Sequence, residues 1–109
     1  MPDANWTSFL PTPEHPEYPS THSILSAAAA ATLQCGLGSD QVDVTVDSRS
    51  HYTDARRHFT SLRATAQEVA LSRLYAGAHF PIANTNGLIE GRKIGELVCK
   101  HTLQPIAKH

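Results

Sequence analysis

The sequence of 109 residues has little charge, with nine lysine and arginine residues against ten acidic ones and a net charge of −1 when histidine is neutral. This balance supplies no field that would hold nucleic acid or an anionic membrane surface. No apolar run approaches the roughly 20 residues that span a bilayer. The N-terminus has no basic region followed by an apolar core, so no secretory signal is expected. These absences together predict a soluble, cytoplasmic protein.

Cysteine is also scarce, since Cys35 and Cys99 are the only two in the chain. They lie far apart in the sequence and fit neither a metal-binding nor a redox CxxC spacing. In an intracellular protein such residues are ordinarily buried thiols. We therefore expect two free cysteines in a reducing compartment.

Histidine, in contrast, is abundant, with seven residues, so the charge of the chain depends strongly on pH. Five of the seven show no spacing typical of metal ligands, and we expect them to be solvated surface residues. These five are His15, His51, His58, His101 and His109.

The start of the chain is rich in proline, and five of the seven prolines precede Ser20. Each proline removes a backbone N–H donor and restricts the residue before it. The sequence therefore predicts two parts, an extended proline-rich segment over residues 1–21 and a helical part over residues 22–109.

Two stretches of the helical part have clear helical patterns. The first is a block rich in alanine and leucine from His22 to Gly36, where glycine favours termination. The second has one apolar face at spacings of three and four residues. It is predicted to begin at Ser50 or Thr53 and to end near Ala76.

A last helix is predicted to begin near Asn84 or Asn86, and glycine recurs along one side of it at Gly87, Gly91 and Gly95. A glycine ridge lets a neighbouring backbone approach closely. This ridge is either packing within the chain or a seat for a missing helix or a second copy.

Between the first two helices, valine alternates with polar residues from Gln41 to Asp47, a period of two that is typical of a strand. Since no other segment shows a matching pattern, we expect an ordered loop more than a sheet. The fold class predicted from all these patterns is all-α, a partial helical bundle with about three main helices.

Two short segments carry residues suited to binding an oxyanion. Ser20 and Thr21 stand at a helix start, where free N–H groups and the positive end of the helix dipole favour an anion. Arg73 adds a guanidinium that matches tetrahedral oxyanions. His22 and His79 can serve as a nucleophile or ligand and as an acid. The alternatives are a helix cap at Ser20 and a core histidine at position 79.

These segments resemble a three-part pattern of the type 2 phosphatidic acid phosphatases and vanadium-dependent haloperoxidases. Its second part, Pro-Ser-Gly-His, matches residues 19–22 with threonine in place of glycine. Its third part, Ser-Arg, five residues and His, matches Ser72, Arg73 and His79. The resemblance runs from Trp6 to about Val98 and is strongest to the soluble, haloperoxidase-like branch. It implies the C-terminal half of a larger helical domain of the acid phosphatase and vanadium haloperoxidase type.

The resemblance implies a role for each matched residue. Ser20 and the Thr21 backbone N–H would bind oxygens of phosphate or vanadate, and Arg73 would neutralise them. His79 would coordinate vanadium or, in a phosphatase, accept the phosphoryl group, and His22 would be the acid. The implied cofactor is vanadate, and the implied substrates are a phosphate ester, or a halide with peroxide.

Two parts of the family pattern are missing. The first motif, Lys, six residues and Arg-Pro, is absent, since no lysine precedes Ser20. Ala83 stands where the family has an aspartate that orients the reacting histidine. In a serine protease triad, loss of such a carboxylate lowers the rate by about 10⁴-fold. The alternative function is therefore a catalytically inactive remnant, acting as an anion-binding or assembly module.

The absence of half a bundle also has a consequence for assembly. Three helices that lack the partner half should expose a sizeable apolar patch. We therefore predict a homodimer, with no nucleic-acid partner and no membrane span. A monomer mass in light scattering would contradict this prediction.

Overall fold

A computed structural model describes residues 2–47, 56–102, 104 and 106 of the chain. It contains three helices and one two-stranded hairpin in the described part. In chain order the elements are α1 (Thr21–Leu37), β1 (Gln41–Asp47), β2 (Arg56–Ser61), α2 (Leu62–Tyr75) and α3 (Pro81–His101). The predicted all-α class with three main helices is confirmed, with a small sheet added to it.

Both long helices begin slightly earlier than predicted. Thr21 opens α1, because the Ser20 side chain caps it by accepting a hydrogen bond from a backbone N–H of the first turn. Pro81 opens α3, upstream of the predicted start near Asn84, since proline is favourable at the first helical position. Gly38, with φ at 72°, ends α1 in the left-handed conformation.

The expected start of α2 is wrong. Ser50 and Thr53 lie outside the described residues, and Arg56–Ser61 forms a strand that pairs antiparallel with Gln41–Asp47. The expected loop at Gln41–Asp47 is therefore wrong as well. Phe59 is part of the apolar face of the predicted helix. It lies three residues before Leu62, the first residue of α2, and a spacing of three is also typical of a helix.

The true start of α2 is fixed by polar contacts. The Ser61 side chain accepts a hydrogen bond from the Ala64 N–H at 3.1 Å. The Asp40 carboxylate in turn accepts from the Ser61 hydroxyl at 2.6 Å and from the Arg63 N–H at 2.8 Å. These hydrogen bonds, that of Ser61 first, hold the pKa of Asp40 below its ordinary value.

The glycine ridge is the contact surface between α1 and α3. A Cβ at Gly87 would lie 2.8 Å from the Ser20 carbonyl oxygen, and a Cβ at Gly95 would lie 2.5 Å from that of Ala28. A Cβ at Gly91 would overlap α1 in the same way. Because the contacts advance together along both helices, α1 and α3 are parallel. The glycine ridge of α3 therefore packs against α1 of the same chain.

The second helix runs in the opposite direction to the other two. Arg63, at its start, lines the same groove as Gln34 near the end of α1. Arg73, in its last turn, is close enough to His22 at the start of α1 to act on the pKa of that imidazole. The core between the helices is built of alanine. Its buried members are Ala27, Ala31, Ala66, Ala70, Ala76 and Ala83.

Cys35 and Cys99 form a disulfide with a Cα–Cα distance of 6.1 Å, so the expectation of two free thiols is wrong. The two residues meet, although 64 positions apart, because they lie near the C-terminal ends of the parallel helices α1 and α3. Disulfides are typical of oxidising compartments. The cysteines therefore give no support to the expected reducing cytoplasm.

The outer face of α1 is apolar and exposed. The helix has no acidic or basic residue other than His22, and Leu25, Leu33 and Leu37 all lie on its surface. A helix that is apolar on its solvent side is usually covered by another element. None of the described helices, however, combines the length and apolarity that crossing a membrane requires.

Candidate functional site

Three helix ends meet at one end of the bundle. The Ser20 N–H, at the start of α1, donates to the Ala83 carbonyl in the first turn of α3 at 3.2 Å. The Ser23 hydroxyl lies within hydrogen-bond distance of the Asn84 side-chain oxygen, at 3.2 Å. Arg73 comes from the last turn of α2. Two positive helix N-termini and an arginine are therefore gathered in one place, an arrangement that favours an anion.

The His79 side chain is fully buried (0% exposed) in the short connection between α2 and α3. Its Nδ1 lies 2.6 Å from the Glu17 carbonyl oxygen. Since a carbonyl only accepts, Nδ1 is the protonated nitrogen, and Nε2 of the neutral ring carries the lone pair. Nε2 is buried and has no hydrogen-bond partner among the described residues. The described residues therefore leave the lone pair of this nitrogen unused.

Glu17, which sequence reasoning missed, holds His79 in place. Besides the bond from its backbone carbonyl, its carboxylate accepts a hydrogen bond from the Phe80 N–H at 2.8 Å and lies 3.6 Å from His79 Nδ1. Ala83, where the family pattern has aspartate, is fully buried, and the neighbouring Asn84 side chain is bonded to Ser23. The orienting contact to His79 thus comes from the proline-rich segment.

Arg73 contributes a second atom without a partner. Its Nε is buried and makes no hydrogen bond within the described residues. Among the described residues, Arg73 Nε and His79 Nε2 are the only buried side-chain nitrogen or oxygen atoms that have no hydrogen-bond partner. Burying such atoms without partners costs free energy, so each of them is a candidate contact for a ligand.

His22 and His15 complete a cluster of three imidazoles. The His15 ring is stacked on His79 at 5.6 Å between centroids and lies 6.4 Å from His22. Partial burial of the His22 ring, followed by the charges of Arg73, His15 and His79, lowers the pKa of His22. His15 is exposed, as expected, and the proline-rich segment folds back so that this ring also stacks on His79.

Ser20 and Thr21 occupy the start of α1. Ser20 is fully buried; its hydroxyl oxygen accepts from the Ser23 N–H at 3.4 Å and lies 3.0 Å from the Ser23 hydroxyl oxygen. Thr21 is exposed as the first residue of the helix, where backbone N–H groups have no partner within the helix. Ser72 faces away, since its exposed hydroxyl donates to the Val69 carbonyl at 2.6 Å.

The polar groups of this cluster indicate the kind of ligand that the site fits. In the portion of the chain that the structure describes, no group of three or more histidine, cysteine or acidic side chains has the geometry of a metal site. The available groups are instead hydrogen-bond donors and one lone pair on His79 Nε2. Such a set fits an oxyanion of a central atom that accepts a nitrogen ligand.

The fold and the sequence were compared with known proteins. A family model described as the VCPO second helical-bundle domain matches residues 1–108. No curated protein sequence matches the chain. Among solved structures, a bacterial vanadium-dependent iodoperoxidase shares 35% identity with a TM-score of 0.77, over 87% of this chain and 23% of that one.

Two structures of a bacterial vanadium-dependent chloroperoxidase are also similar. The holo form gives a TM-score of 0.75 and the apo form 0.77, each at 26% identity over 89% of this chain. The chain spans only 23% of the length of each of these proteins. The chain therefore belongs to the family of the VCPO second helical-bundle domain, in the superfamily of vanadium haloperoxidases and type 2 phosphatidic acid phosphatases.

Proposed function

We propose that this chain forms the oxyanion-binding part of a vanadium-dependent haloperoxidase site, with His79 as the ligand of vanadate. The observation that carries the proposal is the pair of buried, unpartnered nitrogens, His79 Nε2 and Arg73 Nε. His79 Nε2 would give its lone pair to the electron-poor central atom, and the Arg73 Nε–H would donate a hydrogen bond to one of its oxygens. Vanadate, when bound, would supply the electrophilic centre at which peroxide becomes able to oxidise a halide.

His79 acts through its fixed tautomer. The Glu17 carbonyl accepts from the Nδ1 proton, so in the neutral ring it is Nε2 that presents the lone pair. The buried ring cannot rotate away without breaking this hydrogen bond. In a phosphatase, the same nitrogen would accept the phosphoryl group.

Arg73, Ser20 and Thr21 hold the oxygens. The Arg73 guanidinium neutralises negative charge, and its buried Nε gains the partner that it lacks. The N–H of Thr21 adds the positive end of the α1 dipole. Each hydroxyl has one proton, so Ser20 donates to the oxyanion in the arrangement in which the Ser23 proton points to the Ser20 oxygen.

His22 serves as the acid of the site. Partial burial and the positive charge of Arg73 keep its pKa below the ordinary value, so the free site holds His22 neutral at pH 7. A bound oxyanion reverses the local charge and favours the imidazolium. His22 thus takes up a proton when the anion arrives and is then placed to give it to an oxygen.

An anion-binding module without turnover is the second candidate function. Ala83 favours it, because no carboxylate side chain occupies the position from which the family pattern orients its histidine. The first family motif, with its lysine and arginine, is also absent from these residues. In this case binding persists without halide oxidation or phosphate ester hydrolysis.

Calorimetric titration with orthovanadate near neutral pH tests the binding proposal. We expect saturable binding that weakens about ten- to a hundredfold in Arg73→Ala, the loss of a hydrogen bond to a charged group. The matched control is Arg63→Ala, at the other end of the same helix, which should bind as the unaltered chain does. Equal affinity in both variants, or no binding by a chain with helical circular dichroism, would overturn the proposal.

Turnover then separates the two candidate functions. A chain that binds vanadate and oxidises halide with peroxide is the enzymatic part of the site. A chain that binds vanadate with the same Arg73 dependence, and neither oxidises halide nor hydrolyses a phosphomonoester, is the binding module.

A further inference from the structure

A cavity of about 210 Å³ lies between the three helices, away from the oxyanion site. Its floor is formed by alanines of α1 and α2, among them Ala27, Ala31 and Ala66, and Leu88 of α3 adds a longer apolar side chain. We propose that this cavity binds a short-chain carboxylate, with the hydrocarbon chain on the alanine floor and the carboxylate on the solvent side. Arg73, which belongs to the oxyanion site, does not line it.

The size of the cavity sets the length of the chain that it accepts. Ala27, Ala31 and Ala66 are buried, and their single methyl groups leave the space between the helices unfilled. A volume of 210 Å³ corresponds to about seven groups of the size of a water molecule, at roughly 30 Å³ each. A ligand of about six carbons matches this space, and removing it from water is favourable in proportion to its apolar area.

Four long polar side chains form the rim of the cavity, between its floor and solvent. They are Gln34 of α1, Arg63 and Gln67 of α2, and Arg92 of α3. None of these four side chains makes a hydrogen bond with a described residue, and Arg63 donates only through its backbone N–H. The rim therefore holds many N–H donors that the protein does not use. A carboxylate, which only accepts hydrogen bonds, is the group that such a rim satisfies.

The carboxylates near the rim leave the Arg63 guanidinium without an ion pair. The pKa of Asp40 is lowered first by its hydrogen bond from Ser61 and last by the charges of Arg63 and Arg92, so both guanidiniums lie within electrostatic reach of Asp40. The Asp40 oxygens, however, already accept from the Ser61 hydroxyl and the Arg63 backbone N–H. Glu96 lies 3.1 Å from the Nε of Arg92. Because no carboxylate of the described residues pairs with the Arg63 guanidinium, this group is the anchor for the carboxylate of the ligand.

Neither part of the site is sufficient alone. The rim is partly exposed to water, where an isolated ion pair contributes little. The floor is small, so a neutral chain gains only the burial of a few methylene groups. A ligand that combines a carboxylate with a short hydrocarbon chain gains both contributions at once. The inference thus adds a site for an organic anion to the inorganic one already proposed.

Titration with sodium hexanoate at constant ionic strength tests the assignment, followed by NMR of the full chain labelled at its alanine methyl groups. We expect saturable shifts of the Ala27, Ala31 and Ala66 methyl resonances, and none of Ala83 at the oxyanion site. Hexan-1-ol lacks the charge and acetate lacks the chain, so each should bind at least about tenfold more weakly. Hexan-1-ol binding equal to that of hexanoate, or no saturable shift with hexanoate, would overturn the proposal.

Two variants separate the rim from the floor. Arg63→Met should weaken hexanoate binding about tenfold, the loss of a hydrogen bond to a charged group. Ala30→Leu places a longer side chain in the cavity and should abolish binding while the rim stays intact. Lys93→Met is the matched control, because it removes the same charge from α3 outside the cavity. Equal weakening in Arg63→Met and Lys93→Met, or hexanoate binding by the folded Ala30→Leu variant, would contradict the site.

The two proposals fail separately. Arg73→Ala should bind hexanoate as the unaltered chain does, and hexanoate should leave the affinity for orthovanadate unchanged. Hexanoate binding without vanadate binding leaves this cavity assigned and removes the oxyanion site, and the reverse result does the opposite. Competition between hexanoate and orthovanadate would place the carboxylate at the oxyanion site and overturn the assignment of the cavity.

Discussion

At the scale of single residues, the pKa of His22 is set first by burial and then by the charges of its neighbours. Its ring is partly buried and surrounded by Arg73, His15 and His79, all of which disfavour the imidazolium. The lowered pKa has a defined effect on stability. Between that pKa and the unfolded value of about 6.5, the unfolded chain binds more protons, so the free energy of unfolding rises with pH through this window and is level above it.

Replacement of Arg73 tests the effect of a neighbouring charge on the pKa of His22. Arg73→Met removes a positive charge and retains much of the side-chain volume, so the pKa of His22 should rise toward about 6.5 without reaching it, because burial remains its largest cause. Histidine chemical shifts followed by NMR against pH give the measurement. Arg63→Met, remote from His22, is the control, and an equal rise in both variants would refute the local effect.

The residues of the site were only partly predictable from the sequence. Ser20, His22, Arg73 and His79 lie in two short motifs, and the structure brings them to one end of the bundle. Glu17 was not found, because its main contact with His79 is made by a backbone carbonyl, which leaves no trace in the side-chain pattern. His15 was missed for a related reason, since only the folding back of the proline-rich segment stacks it on His79.

At the scale of elements, α1 and α3 approach so closely that their backbones are in contact. Each glycine of α3 faces a carbonyl of α1, and the alanine and serine side chains of α1 fit around them. Close-packed interiors tolerate extra volume poorly. The position of α3 along α1 is therefore fixed by contacts between backbone atoms, which can shift only if the whole helix moves.

Substitution along the glycine ridge measures this constraint. A Cβ at Gly91 would overlap the Ile24 carbonyl oxygen, so Gly91→Ala should lower the free energy of unfolding by about 1–3 kcal/mol or more, in spite of the better helix propensity of alanine. Gly36→Ala is the control, since a Cβ there meets nothing within 4 Å and should be neutral or slightly stabilising. Urea unfolding of the two variants decides, and equal stabilities would contradict the close packing.

The elements differ in how far their sequences determine them. The alanine-rich sequence of α1 predicts a helix, and the spacing of four between the glycines of α3 predicts the face on which α3 packs closely. The β1–β2 hairpin does not, because Arg56–Ser61 lacks strict alternation and gains its strand conformation from pairing with Gln41–Asp47. The start of α2 likewise depends on Asp40, which contacts Ser61 and the Arg63 N–H only after the hairpin has formed.

At the scale of the whole molecule, α1 and α3 are joined at both ends. A hydrogen bond between Ser20 and Ala83 ties their N-termini, and the disulfide between Cys35 and Cys99 ties their C-termini. The outer face of α1 remains exposed, and the homodimer stays a prediction. The cystine was unpredictable from spacing alone, because it depends on the two helices being parallel.

Removal of the disulfide should be costly for stability and neutral for the site. Joint substitution of Cys35→Ala and Cys99→Ala is expected to lower the free energy of unfolding by about 2–5 kcal/mol, because the cross-link restricts the unfolded chain. Urea unfolding with and without a reductant measures the change. Vanadate affinity should be unaltered in the folded variant, and an unfolding midpoint insensitive to reductant would contradict the expectation.

The cystine has a further meaning for a protein proposed to work with peroxide. Oxidants attack thiolates and thioethers first. Both cysteines of this chain are already joined, and methionine occurs once. A chain with this composition offers an oxidising reactant almost no reduced sulfur, so the disulfide that joins α1 and α3 would also protect the chain from the chemistry proposed for its other end.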